Sequence, residues 1–314
     1  MYRAVRAFGA VASAMLLCAI SHTEAIAQTA YEPANVGDKA ASSRDGDGSP
    51  LNLAVALNYD NNVTRASTAP EKFSDFSYSL ELNKNVFVSI GEHTRWSLTG
   101  SAGAEAFRTY RGLNNLYAGG NAELQYRESG DFASPIWGVF GKFTALAYES
   151  DLRSGYRYSF GADVRQALTD RISLYGAVAG NGRVAHSAVF EGRDYSLKLN
   201  LDYALGSNRT MYLDSEYRNG DTVSSGAHTL ANVDIAKIFV TDDAFSAADL
   251  YAYRFNGTTA ILNIGYNHAL DSRGAIDLSW RGIWSRANAS PNLPGTGAPR
   301  YIVNQFSIAY LLAF

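Results

Sequence analysis

From residue 51 onward the chain alternates apolar and polar positions in short runs separated by small and polar residues. In 51–59, Leu51, Leu53, Val55, Leu57 and Tyr59 occupy one parity, and Asn52, Ala54, Ala56 and Asn58 the other. Successive side chains of a strand point to opposite faces, so this run predicts a strand with one apolar and one polar face. Comparable runs cover 76–90, 96–110, 116–126, 136–148, 156–168, 172–181, 195–204, 211–218, 230–240, 247–255, 259–270, 276–286 and 301–314. Together they predict an all-β protein of about fourteen strands, with a range of roughly twelve to sixteen because single-sequence boundaries move by ~2–4 residues.

The spacing of the runs adds an architecture. Gaps after even-numbered runs are mostly tight, as at 91–94, 169–171, 205–208 and 271–274, whereas 60–75, 182–194 and 287–300, after odd-numbered runs, are long. Arg111 to Asn115 and the Asn256-Gly257 turn are short exceptions on the long side. Such asymmetry, with an even number of strands, predicts a closed antiparallel transmembrane barrel with short periplasmic turns, longer outer loops and both termini in the periplasm. Aromatic residues near run ends, including Tyr59, Phe76, Trp96, Tyr126, Trp137, Tyr156, Tyr195, Tyr203 and Trp284, suit the two boundaries between lipid and water.

The first fifty residues read differently. Arg3 and Arg6 precede an apolar stretch over 7–20 and the small-residue site Ala25-Ile26-Ala27, the layout of a secretory signal peptide over 1–27. The apolar stretch is shorter than the ~20 residues of a spanning helix, which favours export over an N-terminal membrane anchor. Leu17 stands before Cys18, where a lipoprotein signal needs a small residue, so lipidation is not expected. Residues 28–50 lack apolar periodicity and predict a flexible periplasmic leader, with 51–314 as the barrel. Asp45 and Asp47 lack the closing glutamate of a calcium loop.

Composition is consistent with such a barrel: 12% of residues are aromatic, Gly occurs 28 times, and the net charge of -3 argues against nucleic acid as a partner. Strand phase assigns to the lumen Glu81, Glu105, Glu123, Asp163, Asp202, Asp214, Glu216, Asp234 and Asp277. Its basic members are Lys142, Arg157, Arg165, Lys198, Arg218, Arg254 and Arg281. Mixed signs describe a wet, cross-paired wall, whose charges either brace the barrel or face a transported solute. Lys237 falls on the lipid-facing phase and either snorkels or marks a wrong phase. Neither a catalytic constellation, nor a metal-ligand spacing, nor a cofactor motif emerges: His93, His186 and His228 lie in connections and His268 near a run end. Gly119-Gly120 reads as a bend in a curved sheet.

Two segments carry resemblances. In 301–314, Ile302, Phe306, Ile308, Tyr310, Leu312 and Phe314 share one parity, with Asn304 and Leu311 as exceptions. The run resembles the closing strand of bacterial outer-membrane barrels, which implies that Phe306, Tyr310, Leu312 and the terminal Phe314 form a signal for the barrel assembly machinery. Tyr59-Asp60-Asn61-Asn62-Val63-Thr64-Arg65 resembles the segment that opens the barrel of surface lipoprotein assembly modifiers, and the 288–314 stretch is similar to that family's close. That family's periplasmic helical repeats have no counterpart here. The sequence therefore predicts an outer-membrane, lipid-embedded, porin-like channel for small hydrophilic solutes. An assembly or secretion helper with a lipoprotein cargo, and a nonchannel structural barrel, are the alternatives.

Overall fold

The computed structural model describes residues 51–294 and 297–314; the predicted signal peptide and leader lie outside the described residues. Nine strands follow in order: β1 (Leu51–Asp60), β2 (Asp75–Ser89), β3 (Thr94–Phe107), β4 (Asn115–Arg127), β5 (Ile136–Tyr148), β6 (Gly155–Thr169), β7 (Ile172–Ala185), β8 (Gly192–Gly206) and β9 (Arg209–Gly226). A short helix α1 (Leu230–Ile235) and a short strand β10 (Ile238–Thr241) precede β11 (Tyr251–Ala269), β12 (Gly274–Ala287) and β13 (Arg300–Ala313).

Each strand from β1 to β8 pairs antiparallel with the next, β9 pairs with β11, β11 with β12, β12 with β13, and β13 with β1. The ring is a closed twelve-stranded barrel, and β10 stands outside it, attached to the first residues of β11. Closure leaves no open edge on the wall, so the backbone groups of every wall strand find partners in its neighbours. At the seam, Asn52 pairs with Ala313 and Asp60 with Gln305, and the Phe314 amide donates to the Leu51 carbonyl at 2.9 Å.

The prediction of about fourteen strands is corrected at two places. Residues 230–240 form α1 and the four-residue β10 instead of one wall strand. Thr229 caps the helix by accepting from the Asn232 amide, and Val233, Ile235 and Ala236 pack beside Tyr253 and Phe255. Residues 251–255 and 259–269 of two predicted runs fuse into the nineteen-residue β11, with the expected Asn256-Gly257 turn inside it, while 247–250 stay in the connection before it. Both residues stay in register with Asp221 and Gly220 of β9, because β9 itself runs past its predicted end to Gly226. A turn signal is overridden here by eighteen consecutive cross-strand partners.

The alternation predicted from sequence fixes inside and outside. Leu80, Val139, Phe160, Leu197, Leu213, Ile264 and Phe306 stand exposed on the outer surface, whereas Asn52, Glu81, Glu123, Ser159, Asn200 and Gln305 are buried on the opposite parity. Near the short-turn end Trp96, Tyr126, Trp137, Tyr203 and Tyr310 ring the outside, and Phe76, Tyr156, Tyr195 and Trp284 do so near the long-loop end. Leu311, an exception in the sequence, lies inside against Ala54, Ala56 and Ala309. Asn304 takes the outer parity, where its side-chain oxygen accepts from the Trp280 indole at 3.3 Å. Both ends of the described chain lie at the short-turn end.

Candidate functional site: the inner wall and its two mouths

The inner wall is an array of paired polar groups. Glu123 of β4 and Arg165 of β6 form an ion pair at 2.8 Å, with Gln125 donating to Glu123 at 2.9 Å and Asp163 3.5 Å from the same guanidinium. Glu216 and Arg218, two residues apart on one face of β9, pair at 2.8 Å. Ser77 donates to Glu105 at 2.5 Å, Asn263 donates to Asp214 at 2.7 Å, and Asn200 donates to the other oxygen of Asp214. Buried carboxylates are tolerated because charge partners or donors satisfy them.

Two tyrosines reach across a neighbouring strand in the same manner. Tyr117 of β4 lies over Gly103 of β3 and donates to Glu81 of β2 at 2.6 Å. Tyr212 of β9 lies over Gly265 of β11 and donates to Asp277 of β12 at 2.9 Å. A Cβ at Gly103 would meet the Tyr117 ring at 2.5 Å, and one at Gly265 would fall inside the van der Waals envelope of Tyr212. Glycine at these two positions lets each ring lie flat on the wall and each hydroxyl reach a carboxylate two strands away.

Glu81, Glu105, Glu123, Asp163, Asp202, Glu216, Arg218 and Asp277 are buried on the inner parity, and Lys142, Arg157, Arg165, Lys198, Asp214 and Arg281 are half-buried there. Two predicted lumen residues are corrected. Asp234 is exposed on α1, where it accepts from the Asn292 amide at 2.6 Å, because its segment is helical and leaves the wall. Arg254 takes the outer parity of β11, opposite Ile238 and Val223, and donates to the Glu191 carbonyl at 3.0 Å. Its assigned phase failed when two predicted strands became one. Lys237 sits in the connection and binds Asp221 and Asn256, each at 2.5 Å. Phe306, Tyr310 and Phe314 of the predicted assembly signal are exposed on the outside, and Leu312 is half-buried.

The two mouths differ. At the short-turn end a cavity of about 610 Å³ opens between the turns, lined among others by Arg95, Arg127, Arg165, Tyr175, Asn200 and Asp202. At the long-loop end, residues 227–250 cross the mouth. They start between β9 and β11 and reach the β3–β4 connection, half the ring away. There Phe245, Ala244 and Leu250 bury themselves against Val63, Phe107 and Leu113, with Tyr110 and Phe73 beside them. Burial, and then the neighbouring Asp75 carboxylate, raise the pKa of the Tyr110 hydroxyl. On the next side, Arg153 of the β5–β6 connection holds Asp242 through two 2.7 Å contacts and stacks on Phe190 at 4.2 Å. Ser225 donates to Asp242 at 2.5 Å, and Ser150 to Asp243 at 2.5 Å.

The Tyr59 to Arg65 segment seats this cover. Asp60 accepts from Arg65, the Asn62 amide and Gln305, each at 2.8 Å. Asn62 donates to the carbonyls of Ala66 and Ile302 and accepts the Ala66 amide, while Arg65 adopts φ 57°. The knot presents Val63 to the apolar cluster and the Thr64 carbonyl to the Ser225 amide at 2.8 Å. None of Asp60, Arg65, Arg153 or Asp242 was marked by the sequence as an interior charge, because charged residues in connections are ordinarily solvated.

No protein-family model and no curated protein matches the chain. Among solved structures, it is similar to an outer-membrane channel from Pseudomonas putida F1, with 11% identity, a TM-score of 0.49, and coverage of 84% of this chain and 96% of that one. It is also similar to the NanC porin, with 9% identity and a TM-score of 0.44 over 83% of this chain and 100% of that one. The KdgM porin in complex with disordered oligogalacturonate shows 10% identity and a TM-score of 0.42, covering 84% of this chain and 99% of that one.

Proposed function

We propose that the protein is an integral barrel of the bacterial outer membrane that conducts small hydrophilic solutes, with its short turns and both ends in the periplasm. The observation that carries this reading is the sorting of side chains on a closed ring: apolar residues outside, a charged and amide-rich wall inside. Lipid accepts the outer surface without unsatisfied backbone groups, and the inner surface suits water and polar solutes. Glu81, Lys142, Arg157, Lys198, Asp202 and Arg281 would then line the pathway together with the other polar groups of the inner wall, and mixed signs give modest ion selectivity. The cavity among the short turns is the periplasmic vestibule of that pathway.

The test is single-channel recording of refolded protein in planar bilayers, both as the native chain and with residues 228–249 replaced by a glycine-serine linker. Stepwise current in either form supports a channel. Silence in both, from barrels that remain heat-modifiable on gels, refutes it and favours a nonconducting structural barrel.

A further inference from the structure

We propose that residues 227–250 are a releasable lid over the long-loop mouth, and that the Arg153–Asp242 ion pair is its latch. As a gate the lid rests on the channel reading; as a moving cover it stands on its own geometry. The segment crosses the whole mouth and is fastened at three separated places: the apolar cluster at Leu113, the ion pair at Arg153, and the Asp234 carboxylate that accepts from the Asn292 amide. These fastenings differ in kind. The apolar contacts favour closure through buried area, whereas the ion pair holds two charges out of water, with side chains only 1% and 0% exposed. A desolvated pair of this sort is close to neutral when intact, because mutual attraction offsets lost hydration, and strongly unfavourable when one partner is removed. Lifting the lid rehydrates both charges, so this pair is the fastening whose release is best compensated by water. Residues 151–153 of the β5–β6 connection supply the fixed half of the latch, and residues 242–243 of the lid the mobile half.

The latch makes a signed prediction that general loosening does not. Asp242→Asn leaves the buried guanidinium with only the longer, 3.4 Å contact to the exposed Asp243 carboxylate, and opens the lid. The double variant Arg153→Met/Asp242→Leu removes both charges, keeps apolar volume, and closes it again. The readout is maleimide labelling of Leu113→Cys, a position with 0% exposure beneath the lid and the only thiol in 51–314, in the full-length protein reconstituted in liposomes. Labelling should speed up by ~10-fold or more with Asp242→Asn and return to the parental rate in the double variant. Open probability in bilayers should follow the same order. An unchanged rate with Asp242→Asn in heat-modifiable barrels, or a double variant labelled as fast as the single one, overturns the latch. Faster labelling without current leaves the lid standing and refutes the channel.

Discussion

Single residues in this barrel act mainly through what they cancel. Arg165 stands between Glu123 and Asp163, so removing it leaves two buried carboxylates facing each other. Arg165→Met should cost about 3 kcal/mol in urea unfolding of the detergent-folded barrel, and adding Glu123→Gln should recover most of that loss. Parity alone placed these groups on the polar face, which is why strand alternation made them legible. Their pairing was not legible, since Glu123 and Arg165 come from strands separated by β5. Arg153 and Asp242 gave no signal either: 89 residues apart in two connections, they meet only after the ring has formed. In the turns the interactions are local. Asp271, between β11 and β12, accepts from the amides of Arg273 and Gly274 at 2.7 Å each, which holds its carboxyl below the usual range. The cap is therefore present above the ordinary aspartate pKa and lost only as pH falls through the lowered one. Protection of the Arg273 and Gly274 amides against exchange, taken relative to their intrinsic rates at each pH, should fall at that lowered midpoint and not before it.

Among the elements, the strands near the seam were the easiest to foresee, because alternation in 51–59 and 301–314 is nearly unbroken. The error lay where local chemistry and long-range pairing disagree. Asn-Gly is a strong turn signal, and only the matching length of β9 shows that the chain continues straight through Asn256 and Gly257. The distinction is measurable. A five-residue insertion between Asn256 and Gly257 should lower the yield of the heat-modifiable form, because it interrupts the β9–β11 ladder. The same insertion after Glu92, in the exposed β2–β3 turn, should leave it intact. Equal yields from the two insertions would contradict a continuous β11.

For the molecule as a whole, closure and the sorting of faces were readable from sequence, and the covered mouth was not, because loop packing leaves no periodicity. The terminal aromatic belongs to this scale. Phe314 is exposed beyond β13 and buries little in the finished barrel, so its proposed role lies in delivery to the assembly machinery. Deleting it should lower the outer-membrane yield while the molecules that do insert keep near-parental thermal stability. Equal folded levels at low expression would remove the support for this role. The knot at the top of β1 also carries a temporal implication. Its ties to Gln305, to the Ile302 carbonyl and to Asn304 span 240 residues of sequence or more. The seat for the mouth cover is thus built jointly by the first and last strands. A chain still lacking β13 is missing the ties that hold Val63 and the Thr64 carbonyl in place, so the cover seats fully only when the final strand arrives, and completion of the wall coincides with sealing of the mouth.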